Sequence, residues 1–128
     1  MSVKILFLVA FGGALGAMFR YVMVSGIGHV IHMDFPYSTL VVNVAGSFAL
    51  GLLTEIIDLN WSLGQEFRSF LAVGVLGSFT TFSAFSQDVV FLIERGELSS
   101  AGLYIMLSVV LSIAGVFAGM MLFRQVLG

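Results

Sequence analysis

Cysteine is absent from the 128 residues, so the chain has no disulfide framework, no thiol nucleophile and no thiolate metal site. Charge is nearly as scarce. Asp, Glu, Lys and Arg make up 9% of the residues, against about 25% in ordinary soluble proteins, and the formal net charge is -2. Five dispersed basic residues form no cluster that could track phosphates, which excludes nucleic acid as a partner. No phosphate-binding loop is present, so nothing points to nucleotide-driven transport. Proline occurs once, at Pro36. What fills the chain is apolar: 59% of the residues are hydrophobic and they fall in long uncharged stretches. So little polar surface cannot cover a soluble globule, and the composition is that of an all-α integral membrane protein surrounded by lipid.

About 20 apolar residues cross a bilayer as a helix. On that measure the chain reads as one four-span domain over residues 1–128, with spans at about 4–28, 36–57, 67–93 and 99–124. Pro36, with a fixed φ and no N–H, suits a helix start. The connectors Gly28 to Pro36, Asp58 to Glu66 and Arg95 to Ser99 are too short to hold a second domain. Lys4, an apolar core and the small residues Ala14 to Ala17 imitate a secretory signal, but three further spans follow, and the first helix is expected to be retained.

Lys4, Arg68 and Arg124 fall on one side of this layout and Arg95 on the other, with Arg20 embedded near the second side. A basic bias of about three to two hardly decides an orientation under the positive-inside rule. Two readings are open: the rule is uninformative here, or the chain inserts both ways and oppositely inserted copies pair as an antiparallel two-fold dimer. Small-residue pairs are plentiful (Gly12/Gly16, Ser47/Gly51, Gly74/Ser78, Gly115/Gly119) and imply closely approaching helices.

The third span holds the chemistry. Between Ser69 and Gln87 no residue is charged, yet Gly77-Ser-Phe-Thr-Thr-Phe-Ser-Ala-Phe-Ser86 places several hydroxyls at membrane depth. Gly74 and Gly77 flank a point of low helix propensity, and the hydroxyls can bond back to their own backbone, so a break is expected there, near the middle of the helix. A break frees carbonyls, and those of Gly77 and Thr80 can face one side of an unwound turn and hold a small hard cation. The competing reading is a continuous helix with its hydroxyls bonded to the preceding turn. Phe82 and Phe85 share a face, flanked by Ser83 and Ser86. The positive edge of a phenyl ring can face an anion, while hydroxyl and amide donors replace part of its hydration shell. Asn43 in the second span and Tyr104, Ser108 and Ser112 at i, i+4, i+8 on the fourth add such donors. Each also has a plain packing role open to it. Arg20 reads either as positive potential at an anion entrance or as a snorkelling anchor.

Gly12-Gly-Ala-Leu-Gly-Ala-Met-Phe-Arg20-Tyr21, Ser38-Thr39-Leu-Val-Val-Asn43 and Gly77-Ser-Phe-Thr80-Thr-Phe82-Ser-Ala-Phe85-Ser86, in this order and spacing, resemble the Fluc (CrcB) fluoride channels over essentially the whole chain. The resemblance implies a passive channel exporting fluoride from the cytoplasm, in a bacterial-type plasma or inner membrane. It further implies an antiparallel dual-topology homodimer with two pathways and a structural sodium ion at the dimer centre. By position, Gly77 and Thr80 match the sodium carbonyl ligands, and Asn43, Thr39, Phe82, Ser83, Phe85, Ser86, Tyr104, Ser108 and Ser112 fall on the fluoride pathway. Ala84 stands where members often carry threonine, Ser38 where they often carry glycine, and Asp88 where an acidic residue is common. Hydrogen fluoride enters neutral from an acidic exterior and ionises inside, so a passive exit limits fluoride toxicity.

A proton-coupled small multidrug transporter is the alternative four-span reading, but it needs a carboxylate well inside a helix. Glu55, Asp58 and Asp88 are placed near span ends. A membrane-assembly subunit would explain the small-residue pairs and not the polar stripe. No catalytic constellation is present, so no enzyme is expected. His29 and His32, with Asp34, read as an ordinary interfacial loop rather than a metal site.

Overall fold

The computed structural model describes residues 2–30, 35–58 and 64–126. His32 and Asp34 therefore lie outside the described residues. The fold is all-α, with four helical segments long and apolar enough to cross a membrane. Helix α1 (Val3–Val30) runs 28 residues without interruption. At ~1.5 Å per residue it is about 42 Å long, more than the ~30 Å hydrocarbon core, so its ends reach headgroup depth. Helix α2 spans Tyr37–Asp58, with Pro36 immediately before its first residue.

The third segment, Gln65–Glu94, is composite. It starts as α3 (Gln65–Arg68), widens into a π-helical stretch over Ser69–Leu76, and tightens again as α4 (Gly77–Phe79). After an interruption at Thr80 and Thr81 it resumes as α5 (Phe82–Glu94). The chain then turns at Gly96, whose φ of 79° is a left-handed conformation that glycine adopts without steric cost. Gly96 N–H bonds to the Ile93 carbonyl and Glu97 N–H to that of Leu92, the paired bonds of a Schellman cap. Helix α6 (Leu98–Val126) completes the bundle.

Two close-packed pairs organise the bundle: α1 against the π-helical stretch and α2 against α6. Lipid offers helices no hydrophobic reason to associate, so close van der Waals contact has to do it. A methyl group at Gly16 would overlap the Val75 carbonyl, and one at Gly51 the Val116 carbonyl, so neither pair could close with a larger residue. Gly12, Gly74 and Gly119 stand at the same seams. The small-residue pairs noted in the sequence thus pack helices within one chain and give no separate argument for association between chains. The buried apolar core is small: Leu40, Val42, Leu53, Leu92, Ala101, Tyr104 and Phe123. Large apolar side chains such as Phe7, Phe11, Met106 and Phe117 point outward.

Topology places Lys4, Arg68 and Arg124 at one end of the bundle and Arg95 at the other. Lys4 pairs with Glu66 at 3.3 Å, and Arg95 with Glu97 at 3.3 Å.

Candidate ion site at the interrupted third span

The interruption comes later than Gly74 and Gly77 suggested. Gly77 is helical (φ -62°, ψ -33°), and its N–H still bonds to the carbonyls of Ala72 and Gly74. Backbone becomes extended at Thr80 (φ -80°, ψ 156°) and Thr81 (φ -151°, ψ 118°). Threonine is a poor helix former because its β-branch restricts χ1 and its hydroxyl competes for backbone partners, and here the Thr81 hydroxyl takes such a partner. Thr81 is the N-cap of α5, its hydroxyl oxygen accepting from Ala84 N–H at 3.1 Å. Asn43, 38 residues away on α2, holds both faces of the Thr81 backbone: its Oδ1 accepts from Thr81 N–H at 2.7 Å and its Nδ2 donates to the Thr81 carbonyl at 3.0 Å.

These bonds divert two amides. A continuous helix would give Thr81 N–H to the Gly77 carbonyl and Ala84 N–H to the Thr80 carbonyl. The first goes to Asn43 and the second to the Thr81 hydroxyl. The carbonyls of Gly77 and Thr80 are left without their helical donors, and both residues line the groove that opens at the interruption. Two such neutral, hard oxygens are the donor type that suits a small alkali cation.

That groove has a volume of about 430 Å³. It brings together Asn43, Gly77, Thr80, Phe82, Phe85, Ser108 and Ser112 of the residues expected from sequence. Phe82 and Phe85 lie side by side, ring centroids 5.5 Å apart and planes at 48°. Phe82 is 78% exposed in the isolated chain, whereas Phe85 leans on Tyr104 at 5.2 Å. Ser108 is buried, 8% exposed, with a hydroxyl that has no hydrogen-bond partner among the described residues. An unmade bond of that kind costs about 1–3 kcal/mol, and this one belongs to a residue on the groove wall whose hydroxyl oxygen is itself buried.

Thr39, Ser83, Ser86, Tyr104 and Arg20 do not line the groove. Ser86 donates to the Phe82 carbonyl at 3.0 Å, the plain intrahelical bond, and Ser83 lies 3.5 Å from the Thr81 hydroxyl. Tyr104 is fully buried, its hydroxyl donating to Asp88 Oδ2 at 3.0 Å, with Phe35 edge-on to its ring. It anchors the stripe that Ser108 and Ser112 continue into the groove. Thr39 is buried beside that hydroxyl. Arg20 is partly exposed on α1 and makes no ion pair among the described residues.

Sequence reasoning gave Asp88 no role, read Thr81 only as one of the hydroxyls at the break and Ser47 only as a small packing residue, and assigned neither to the site they line. The Asn43–Thr81 pairing leaves no local signature. A hydroxyl one turn past Asn43 on the same helix face was a signal that would have found Ser47. Glu55, placed near a span end from sequence, sits in the last turn of α2 and is buried, 4% exposed. Its Oε1 accepts from Arg124 Nε at 2.7 Å, an ion pair at the end of the bundle rather than the mid-span carboxylate a proton-coupled transporter would need.

The family profile described as CrcB-like protein, Camphor Resistance (CrcB), matches residues 7–120. A protein of Rhodospirillum centenum named Fluoride-specific ion channel FluC is 48% identical over 121 residues, covering 94% of this chain and 96% of its own length. Proteins of the same name from a Chelativorans species and from Agrobacterium fabrum are 50% and 49% identical, covering 95% and 92% of this chain and 98% and 94% of theirs. Those names describe an ion channel, not an enzyme. With the matched region running through all four membrane-spanning segments and the whole groove, this multi-pass membrane protein belongs to the CrcB-like family.

Proposed function

We propose that this protein is a passive, fluoride-selective channel that lets fluoride leave the cytoplasm down its electrochemical gradient and so limits fluoride toxicity. The observation that carries the reading is the groove at the interruption, where Phe82 and Phe85 meet Asn43, Ser108 and Ser112 and the buried Ser108 hydroxyl is unpartnered. Fluoride is small and strongly hydrated, so a pathway must replace its water with donors. Hydroxyls, the remaining N–H of Asn43 and the positive edges of two phenyl rings do this without a full positive charge that would trap the ion. The relatives' names point to the same ion.

The working form in this reading is an antiparallel homodimer of oppositely inserted copies. One copy alone leaves the groove open on one side and Phe82 uncovered; a second copy closes both. The Gly77 and Thr80 carbonyls of the two copies would then hold a sodium ion at the dimer centre, where it supplies a fixed positive charge between facing carbonyl dipoles. Tags at either terminus should be accessible from both sides of the membrane, and one-sided accessibility contradicts dual insertion. Function is tested by reconstituting the protein in liposomes loaded with fluoride or chloride. Rapid release of fluoride with chloride retained is expected; no fluoride release, or equal chloride release, contradicts the proposal.

A further inference from the structure

Some hydroxyls in this chain are satisfied within their own helix, and some that face the groove are not. Those of Thr54, Thr80 and Ser86 donate to the carbonyl four residues back, at 2.8, 3.1 and 3.0 Å, the usual way for a membrane helix to satisfy them. Those of Ser47, Ser108 and Ser112 make no hydrogen bond among the described residues, and all three line the groove. Ser108 and Ser112 are one turn apart on α6; Asn43 and Ser47 are one turn apart on α2. The facing helices run in the same direction. A methyl group at Gly115 would sit 3.6 Å from Ser47 Cβ, so Ser47 is level with a residue three positions beyond Ser112. At ~1.5 Å per residue this puts Ser47 about 4.5 Å farther along the bundle axis. Gly115, with no side chain, lets the two helices approach closely at that level, where a methyl group would meet the Val44 carbonyl at 3.2 Å.

We infer that Ser47 is an ion-contacting donor that carries the fluoride path one step past Ser112, toward the end of the bundle that holds Glu55 and Arg124. The inference rests on the proposed reading of the groove as a fluoride path. The buried, unpartnered Ser108 hydroxyl is the independent sign that the groove is built for an acceptor. Ser47 extends the same kind of wall from the opposite helix, so an ion leaving Ser112 exchanges one hydroxyl for another rather than entering an apolar gap. Its hydroxyl sets how fast ions pass this level, and its small size is a separate property that Ala would preserve.

The test uses the full-length protein in liposomes with a fluoride electrode, comparing Ser47→Ala, Ser47→Thr and Thr54→Ala. Thr54 lies on the same helix, outside the groove, with its hydroxyl already bonded. Loss of one donor to an anion should slow Ser47→Ala about tenfold. Ser47→Thr should keep most of the flux, and Thr54→Ala should match wild type. Wild-type flux in Ser47→Ala, or equal slowing in Ser47→Ala and Ser47→Thr, overturns the inference while the channel reading stands. A wild-type protein that releases no fluoride overturns both.

Discussion

Asn43→Ala removes the side chain that holds the third span open. Two hydrogen bonds go at once, 2.7 Å to Thr81 N–H and 3.0 Å to the Thr81 carbonyl. Each orphaned backbone group would cost about 1–3 kcal/mol if fully buried, and because both bonds are only part-buried the lower half of the summed range applies, about 2–4 kcal/mol. The chain has one escape: Thr81 N–H can return to the Gly77 carbonyl and rewind the helix, which abolishes the carbonyl pair and turns Phe82 and Phe85 about the axis. Either outcome lowers stability, flux or both. Asn43→Asp keeps the acceptor for Thr81 N–H but sets a carboxylate oxygen against the Thr81 carbonyl and a charge inside the span, so it should cost at least as much. Reversible unfolding in mixed micelles gives the free energies, and fluoride efflux from liposomes gives the rate, expected to fall at least tenfold for Asn43→Ala. An Asn43→Ala protein with wild-type unfolding free energy and wild-type flux would refute the clamp.

Gly16→Ala should destabilise the fold by ~1–3 kcal/mol, because the added methyl meets the Val75 carbonyl, whereas Gly26→Ala, with nothing near it, should be neutral or stabilising by up to ~1 kcal/mol. Equal effects in micelle unfolding would show that α1 does not pack as described. Thr80→Ala deletes the hydroxyl bond to Leu76 and keeps the Thr80 carbonyl, so any sodium dependence of fluoride flux should persist. A wild-type sodium response lost in Thr80→Ala would place the cation on the side chain instead.

The four membrane segments were legible because a bilayer demands ~20 apolar residues and the charged residues punctuate the chain at that interval. The interruption near the middle of the third span was legible, but not the residues that make it. Gly74 and Gly77 look like weak points, yet Gly74 is there to let α1 approach and Gly77 stays in the helix. The interruption is made by the Thr80–Thr81 pair together with Asn43, a residue 38 positions distant, which local propensity cannot see. The π-helical widening over Ser69–Leu76 had no signature either, since it arises where this stretch meets the glycines of α1. Among the site residues, the i, i+4, i+8 spacing found Tyr104, Ser108 and Ser112 correctly as one face, but not that Tyr104 is committed to Asp88. Serines read alike in sequence. Only packing separates Ser86, bonded to its own helix, from Ser108, buried without a partner among the described residues.

The central claim is that fluoride passes the two rings at the restart of the third span. Fluoride efflux from liposomes by Phe82→Ile and Phe85→Ile measures it most directly, with size-exclusion profiles showing that each variant stays folded. Phe82 is 78% exposed in one copy, so its replacement removes almost no packing within the chain and isolates the ring's role. The account predicts that flux is abolished or severely slowed in both variants while the profiles stay unchanged; wild-type flux in both would contradict it.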